Sequence, residues 1–577
     1  MSNKYYQQEI NHLRELAVEF SRAYPEIAPM LSGPSADPDV ERLLEGTAFL
    51  TGLLREKLED DFPEIIHGLM NIILPHYIRP IPSTSIVAFY PKRGLKETIS
   101  VPAGTSLETI PIEGTSCIFK TCFKVDVHPF KLVSVDSTQK TGLKNQIRLT
   151  IELTSSDLSN WNPDSLNFLL GGSFTESTDL FMLLNHYLQK ITLRSVEGGN
   201  EYVLPANSLK PAGFDMKNAL LPFPGNAFTG YRLLQEYFIL PRKFLFFELT
   251  GWKDWHERGR GRRLEIIFDL FPSPITLPKI KDDHFIFSAT PVVNLFVREG
   301  EPVTVNHFQE KIRLRPSSRN MQHFQIYSVD KVSGYSQGSV KKREYVPLEM
   351  FRHANPDSVS YEISRSRSPV DDASEVFLSI AYPSGTSEAI NETLSVAMTC
   401  TNGDLPERLQ LGDICRQTSD SPELLEFRNI IAPTSAVEPP VGKNTIWRFL
   451  SHISLNYLSI ANADNIKEVL SLYAYPEGRD REKITANLRR IEGITGLNIA
   501  PVDRLTNGLM LRGQTIELTA RQDHFAGLGD LYLFAAVLDL FFAVYSSFNS
   551  FTQLKLKESI SGETFTWPFR MGNRILL

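Results

Sequence analysis

Residues that could do chemistry are few in this chain and widely spaced. Gly334, Tyr335, Ser336, Gln337 and Gly338 spell G-x-S-x-G, the pattern in which a strained turn between strand and helix exposes a serine for nucleophilic attack. The preceding QIYSVDKV reads as a strand, but the following SVKKREYVPL carries no apolar helical period, and the helix is part of that mechanism. A hairpin turn fits the segment better. His353, His452 and His524 lie downstream where a base would be needed, yet no motif selects one of them. Cys117, Cys122 and His128 crowd together with a spacing that matches no recognised zinc arrangement, so buried packing thiols are expected. Asp60 and Asp61 could exchange protons, but they precede a helix opening at Pro63, where free N–H groups and the helix dipole favour acids.

No G-x-x-x-x-G-K-[ST] loop and no G-x-G-x-x-G after a strand is present, so neither phosphate nor dinucleotide cradling has support, and no cofactor is expected. The basic ERGRGRR run at 257–263 lacks aromatics at stacking intervals and reads as a solvated or protein-facing turn. Net charge is −7 and the isoelectric point about 6.0, which gives no footprint for nucleic acid. The imbalance is local: residues 1–80 hold 7 Lys/Arg against 13 Asp/Glu, a surface that would suit a basic partner. The start MSNKYYQQEI has no apolar h-region, which predicts a cytosolic protein. The apolar stretch at 531–545 is shorter than a spanning helix needs and carries Asp539 at its middle, so a buried core helix is expected and no direct membrane insertion. The 4 cysteines form no CxxC pair and no disulfide framework.

The elements that would position partners lie at the N-terminus. Tyr6, Ile10, Leu13, Ala17, Phe20 and Tyr24 fall at alternating steps of four and three, which lines them along one narrow stripe of a helix that Pro25 stops. Such a seam suits a coiled-coil or bundle contact with another chain, or an internal helical hairpin. Asp37 can cap a second helix with Pro38 in its first turn, and Val40, Leu43, Leu44, Leu50, Leu54 and Leu58 run down one side of it. A third, opened by Pro63, is apolar nearly all round and must be covered.

At 577 residues the chain is too long for one core. From Ser83 the texture turns to short alternating runs such as Ile147, Leu149, Ile151 and Leu153, the signature of antiparallel strands. Further strands are predicted at 84–90, 190–196, 244–250, 264–271 and 393–400, with helical interruptions near 179–189 and 230–238. Helical periodicity returns after the linker-like 432–444. The expected fold is α+β and multidomain: a helical segment at 1–82 that joins a bundle, β-rich middle domains at 83–265 and 266–431 with antiparallel sheets, and a C-terminal α/β domain at 432–577.

Several blocks in order carry a family resemblance: YYQQEINHLREL through EFSRAYPEIAPML, DPDVERLLEGTAFLTGLLREKLEDDFPEI, RPIPSTSIV, VPAGTSL, TNGDLPERL, WRFLSHISLNYLSI, FAGLGDLYLFAAVLDLFFAVYSSFNSF and the ending WPFRMGNRILL. Together they closely resemble the TssF (ImpG/VasA) family of baseplate subunits of the bacterial type VI secretion system. The resemblance implies a structural wedge protein of a contractile injection machine and not an enzyme. It implies partnership with TssG, with further copies of TssF, and with TssE and TssK, around the spike hub VgrG. The baseplate then primes the inner tube and, indirectly, the TssB/TssC sheath, in the cytoplasm against the inner-membrane complex. On this reading the stripe from Tyr6 to Tyr24 is the partner-binding surface. A baseplate wedge protein of a phage-like or extracellular contractile particle, and a serine hydrolase using Ser336, stand as the alternatives.

Overall fold

In a computed structural model, the described residues run from 74 to 572, except 139–144, 156, 224–228, 306–309, 319, 337–341, 349–358, 369–372, 382–391, 440–461, 477, 507–508 and 547–549. N-terminal to these, residues 6, 10, 11, 13, 14, 16, 17, 39, 42–51, 68, 70 and 71 are described, and all are helical. The architecture is α+β and β-rich, with mostly antiparallel sheets.

Strand pairing nests the middle of the chain instead of dividing it in sequence. One six-stranded sheet takes its strands, in spatial order, from Ile414–Arg416, Ser106–Thr109, Ile118–Thr121, Ala289–Val293, Thr84–Pro91 and Leu425–Asn429. Asn429 draws its two edges together: its Oδ1 accepts from the Ile414 amide at 3.0 Å, its carbonyl from the Gly412 amide at 3.1 Å, and its Nδ2 donates to the Gln410 carbonyl at 3.0 Å. Val87, Phe89, Leu107, Phe119, Val292 and Phe427 fill the space enclosed. Into this frame the chain inserts two excursions. The first holds a five-stranded and a four-stranded sheet between Phe130 and Phe287, and the second an eight-stranded sheet between Phe296 and Thr401.

The boundary expected between residues 265 and 266 therefore falls inside the strand Arg263–Leu270, which pairs along its length with both Asn145–Leu153 and Leu188–Ser195. The physical reason is that periodicity reports which residues face a core and is silent about which distant strand supplies the neighbour. Within that sheet the alternation is clean. Ile147, Leu149, Ile151 and Leu153 are buried, while Arg148 and Arg194 on the opposite face reach Glu265, and Lys190 reaches Asp269 at 3.6 Å. Opposite charges on neighbouring strands stabilise such a face by roughly 0.2–1 kcal/mol per pair.

Five helices are used below: α1 (Phe174–His186), α2 (Gly230–Ile239), α3 (Ala463–Tyr473), α4 (Arg481–Glu492) and α5 (Leu528–Tyr545). Ser173 caps α1 through a reciprocal pair of bonds with Glu176, at 3.3 Å to its amide and 3.2 Å from the Ser173 amide to the Glu176 carboxylate. α5 is the crossover between the parallel strands Leu509–Ala520 and Ser550–Glu558, which a parallel pair requires. It packs on α1 and α2 from the first excursion, so the C-terminal region and that excursion share one core. Among the described residues no helix is long and apolar enough to cross a membrane.

Candidate interaction surfaces

The N-terminal helices enter the body through a segment that is fastened at several points. Asn71 donates to the Ile363 carbonyl at 3.0 Å, and Ile81 and Val437 exchange backbone bonds at 2.8 and 3.0 Å. Met70, Leu74, Tyr77 and Ile78 enter the main core. His76, buried, bonds Tyr473 Oη through Nε2 at 3.0 Å and stacks on the same ring. Chain beyond this anchor is thus held at its root by α3 and by the eight-stranded sheet.

Of the six seam residues, Tyr6, Ile10, Leu13 and Ala17 are helical, and Phe20 and Tyr24 lie outside the described residues. Ile10 and Ala17 are buried, Tyr6 and Leu13 half-buried, and Leu16 beside them is exposed. The second helix is open along its apolar side. Over residues 42–51 Ala48 is fully buried, but Leu43 is 71% exposed, Leu50 62% and Phe49 49%. Leu43 and Leu50, two turns apart, lie on one face. Large side chains left in water this way on one short helix make it a candidate interaction surface. Most of the apolar third helix, with Asp60 and Asp61, lies outside the described residues.

The reactive residues are scattered. Ser336 ends the strand Gln325–Ser336, pairs antiparallel with Glu392, and is followed by another strand, Lys342–Pro347, that pairs back on it. That is a hairpin, as the missing helical period indicated, and a nucleophile elbow needs a helix there. Cys117 and Cys122 sit in different cores, the first inside the six-stranded sheet and the second in the main core. Burial pushes the Cys117 thiol up to about 12 and lowers His128 to about 4. His128 Nδ1 is bonded to Thr98 Oγ1 at 2.9 Å. Among the described residues no group of three His, Cys, Asp or Glu is placed to hold a metal ion.

The basic run at 257–263 is protein-facing at Arg258 above all. Arg258 is buried and donates to the carbonyls of Trp252, Trp255 and Trp161 and to Asn162 Oδ1 at 2.7 Å. Glycines allow this: Gly199 and Gly259 have φ of 132° and 74°, and a Cβ on either would collide with the backbone of the opposing loop. No spacing signal marks which arginine of such a run turns inward.

Comparison with known proteins follows this geometry. The family model for the type VI secretion system protein TssF matches residues 2–574. The type VI secretion system component TssF1 of Pseudomonas aeruginosa is 30% identical, over 99% of this chain and 98% of that protein. Among solved structures, a chain of the TssK–TssF–TssG baseplate subcomplex superposes with a TM-score of 0.78 at 30% identity, covering 92% of this chain and 98% of the other. A chain of the baseplate complex from the type VI secretion system gives a TM-score of 0.62 at 25% identity over the full length of both.

Proposed function

This chain belongs to the TssF family of the type VI secretion system, and from that premise we propose how it works as a baseplate subunit: as a scaffold that binds TssG and TssK and catalyses nothing. The observation that carries the reading is that likeness to baseplate chains runs end to end while the apolar side of residues 42–51 is left open. Exposed large apolar side chains on one helix face are what an assembly subunit presents to a neighbour. The same reading extends to further copies of this chain, to TssE, to the spike hub VgrG and, indirectly, to the TssB/TssC sheath, with the finished wedge cytoplasmic and docked at the inner-membrane complex.

In this proposal the seam from Tyr6 to Tyr24 joins a bundle completed by a TssG helix. Ile10 and Ala17 already have cover within the chain, and Leu16 and half-buried Leu13 are the side that a partner helix closes. Leu13→Asp tests it, because the substitution puts a carboxylate into an apolar contact. TssG pull-down is expected to fail, with the thermal unfolding of the β-rich body and C-terminal region unchanged. Retained pull-down would overturn the seam assignment, as would loss of binding accompanied by collapse of the whole chain's melting transition.

A further inference from the structure

We propose that the eight-stranded sheet between Phe296 and Thr401 is a hinged body, and that the root of the N-terminal helices is the latch fixing its angle. Among the described residues this sheet has a core of its own, in which Val332, Leu378, Leu394, Val396 and Met398 pack together and apart from the main core. A unit with its own core moves against its neighbour unless a large apolar interface holds it. Here the holding contacts are few and mostly polar.

The pivot is where the chain leaves the six-stranded frame and returns to it. Asn294, just after Ala289–Val293, and Asn402, just after Glu392–Thr401, are both buried. Asn294 Nδ2 donates to Asn402 Oδ1 at 2.9 Å and to the Ile118 carbonyl at 2.8 Å, while its Oδ1 accepts from the Asn402 amide at 2.6 Å and from Thr401 Oγ1 at 2.8 Å. The two crossing chains are pinned together there. One pinned point fixes where the sheet sits and leaves its rotation to be fixed by a second.

That second point is the root at residues 71–81. Tyr327, on the strand Gln325–Ser336, is the one buried apolar side chain of 296–401 that joins the main core among the described residues. Arg79 lies over its ring with Cζ 5.4 Å from the centroid, and its hydroxyl donates to the Pro222 carbonyl at 3.5 Å. Asn71 adds its bond to Ile363 on the strand Ser360–Arg367, and Gln325 Nε2 donates to Glu438 Oε2 at 2.7 Å. Arg365 ties the two strands of the sheet at this place by donating to the Ile326 and Tyr327 carbonyls at 3.0 and 2.7 Å. Burial, and then the charge of Arg79, lower the Arg365 pKa to about 10, with Glu438 the acid that opposes the shift. Closing the latch thus sets two guanidinium groups near each other, and one ring and a few hydrogen bonds hold it. It can open without unfolding either core. Met70 and Leu74, on the same root, are seated in the main core, so a force on the helices before them reaches the latch first. This holds whichever neighbour takes those helices, so it goes beyond the assembly reading without resting on it.

Single-molecule energy transfer tests the latch in full-length chain purified with TssG. Thr304 is exposed at the end of the sheet far from the pivot, where it pairs with Thr393, and Lys131 is exposed on the first excursion. Both are changed to Cys for the dyes, and Cys415→Ser removes the exposed native thiol. The parent is expected to give one narrow peak. Asn71→Ala together with Arg79→Ala should at least double its width or add a second peak, while the amides of Glu392–Thr401 exchange hydrogen as slowly as in the parent. An unchanged peak overturns the proposal, as does a parent peak that is already as broad. Faster exchange throughout Glu392–Thr401 in the variant also overturns it, because the sheet would then not be an independent unit. If that variant cannot be purified, Gln325→Ala decides: a broadened peak supports the latch and an unchanged one refutes it. If TssG does not co-purify, the assembly reading fails, and the same comparison on the chain alone still settles the hinge.

Discussion

α5 and the helical residues 42–51 are both rich in Leu and Phe, yet the first is buried almost all round and the second carries its Leu43, Phe49 and Leu50 in solvent. The difference lies in how each treats charge. α5 holds two acids in its length, and both are paired inside the fold: Asp530 accepts from Arg490 at 2.9 Å and from the Tyr237 hydroxyl at 3.3 Å, and Asp539 accepts from Arg570 at 2.5 Å. In residues 42–51 Arg42 and Glu45 remain exposed, and Arg42 has Asp39 at 3.5 Å. A helix whose charges are neutralised by its own chain is a finished core element. One whose apolar side and charges both face water is, on the assembly reading proposed above, half of an interface.

Removing a buried ionic partner should do the most damage and so test the first half of this contrast. Glu236 of α2, packed against α5, accepts from Arg232 at 3.3 Å, from the Leu220 amide at 2.7 Å and from Lys243, with all three side chains buried. Burial lowers the Lys243 pKa, and the Glu236 charge opposes that shift. Glu236→Ala leaves two cations without their carboxylate and is expected to destabilise the chain by about 3–5 kcal/mol, read by urea unfolding of the TssG-bound protein. A loss under about 1 kcal/mol would show that the triad is dispensable and that paired charge does not mark a finished core.

A smaller effect should appear with pH. Burial raises the Asp539 carboxyl to about 6 against the opposing influence of Arg570, so the folded chain holds this proton more tightly than the unfolded chain does. Its contribution to stability is therefore present below the ordinary carboxylate value and lost as pH rises through about 6. His128 works the other way, lowered to about 4 by burial, so its contribution is lost as pH falls from its ordinary 6.5 toward 4. Because the two overlap, the informative quantity is the difference in melting temperature between the parent and Asp539→Asn. The parent's stability relative to the variant should decline from pH 4 to pH 6. A flat or rising difference would mean that Arg570 outweighs burial at this site.

Much of this layout is legible in residue order, and the failures share a cause. The strands predicted at 84–90, 190–196, 264–271 and 393–400 appear as Thr84–Pro91, Leu188–Ser195, Arg263–Leu270 and Glu392–Thr401, because alternation is a local property that survives into the fold. The interruptions near 179–189 and 230–238 are α1 and α2. What residue order hides is partnership over distance. Thr84–Pro91 pairs with Ala289–Val293 and Leu425–Asn429, which no window of sequence reveals. Nor does any spacing signal mark Arg232, Glu236 and Lys243 as a buried ionic cluster. α4 went unread because its REKITANLRRIE is mostly polar, although Asp480, whose Oδ1 accepts from the Lys483 amide at 3.0 Å, is the N-cap signal that could have found it.

The smallest change in stability should accompany a large change in assembly, and that pairing is what separates the two helices. Leu538, fully buried in α5, leaves a cavity when cut to Ala, and the usual cost of such a truncation is about 2–5 kcal/mol. Leu43 and Leu50 are already wet, so Leu43→Ser with Leu50→Ser removes no contact from the chain's own core and should shift its unfolding by no more than about 0.5 kcal/mol. In association the order reverses: the serine pair should weaken copy-to-copy or partner contact in sedimentation of the assembled complex, while Leu538→Ala, scaled to a temperature where it is folded, should assemble as the parent does. If the serine pair melts the chain as Leu538→Ala does, residues 42–51 are an internal element whose cover comes from their own chain. If it changes neither stability nor sedimentation, the exposed leucines serve no interface, and exposure of an apolar helix face in this chain says nothing about where its neighbours bind.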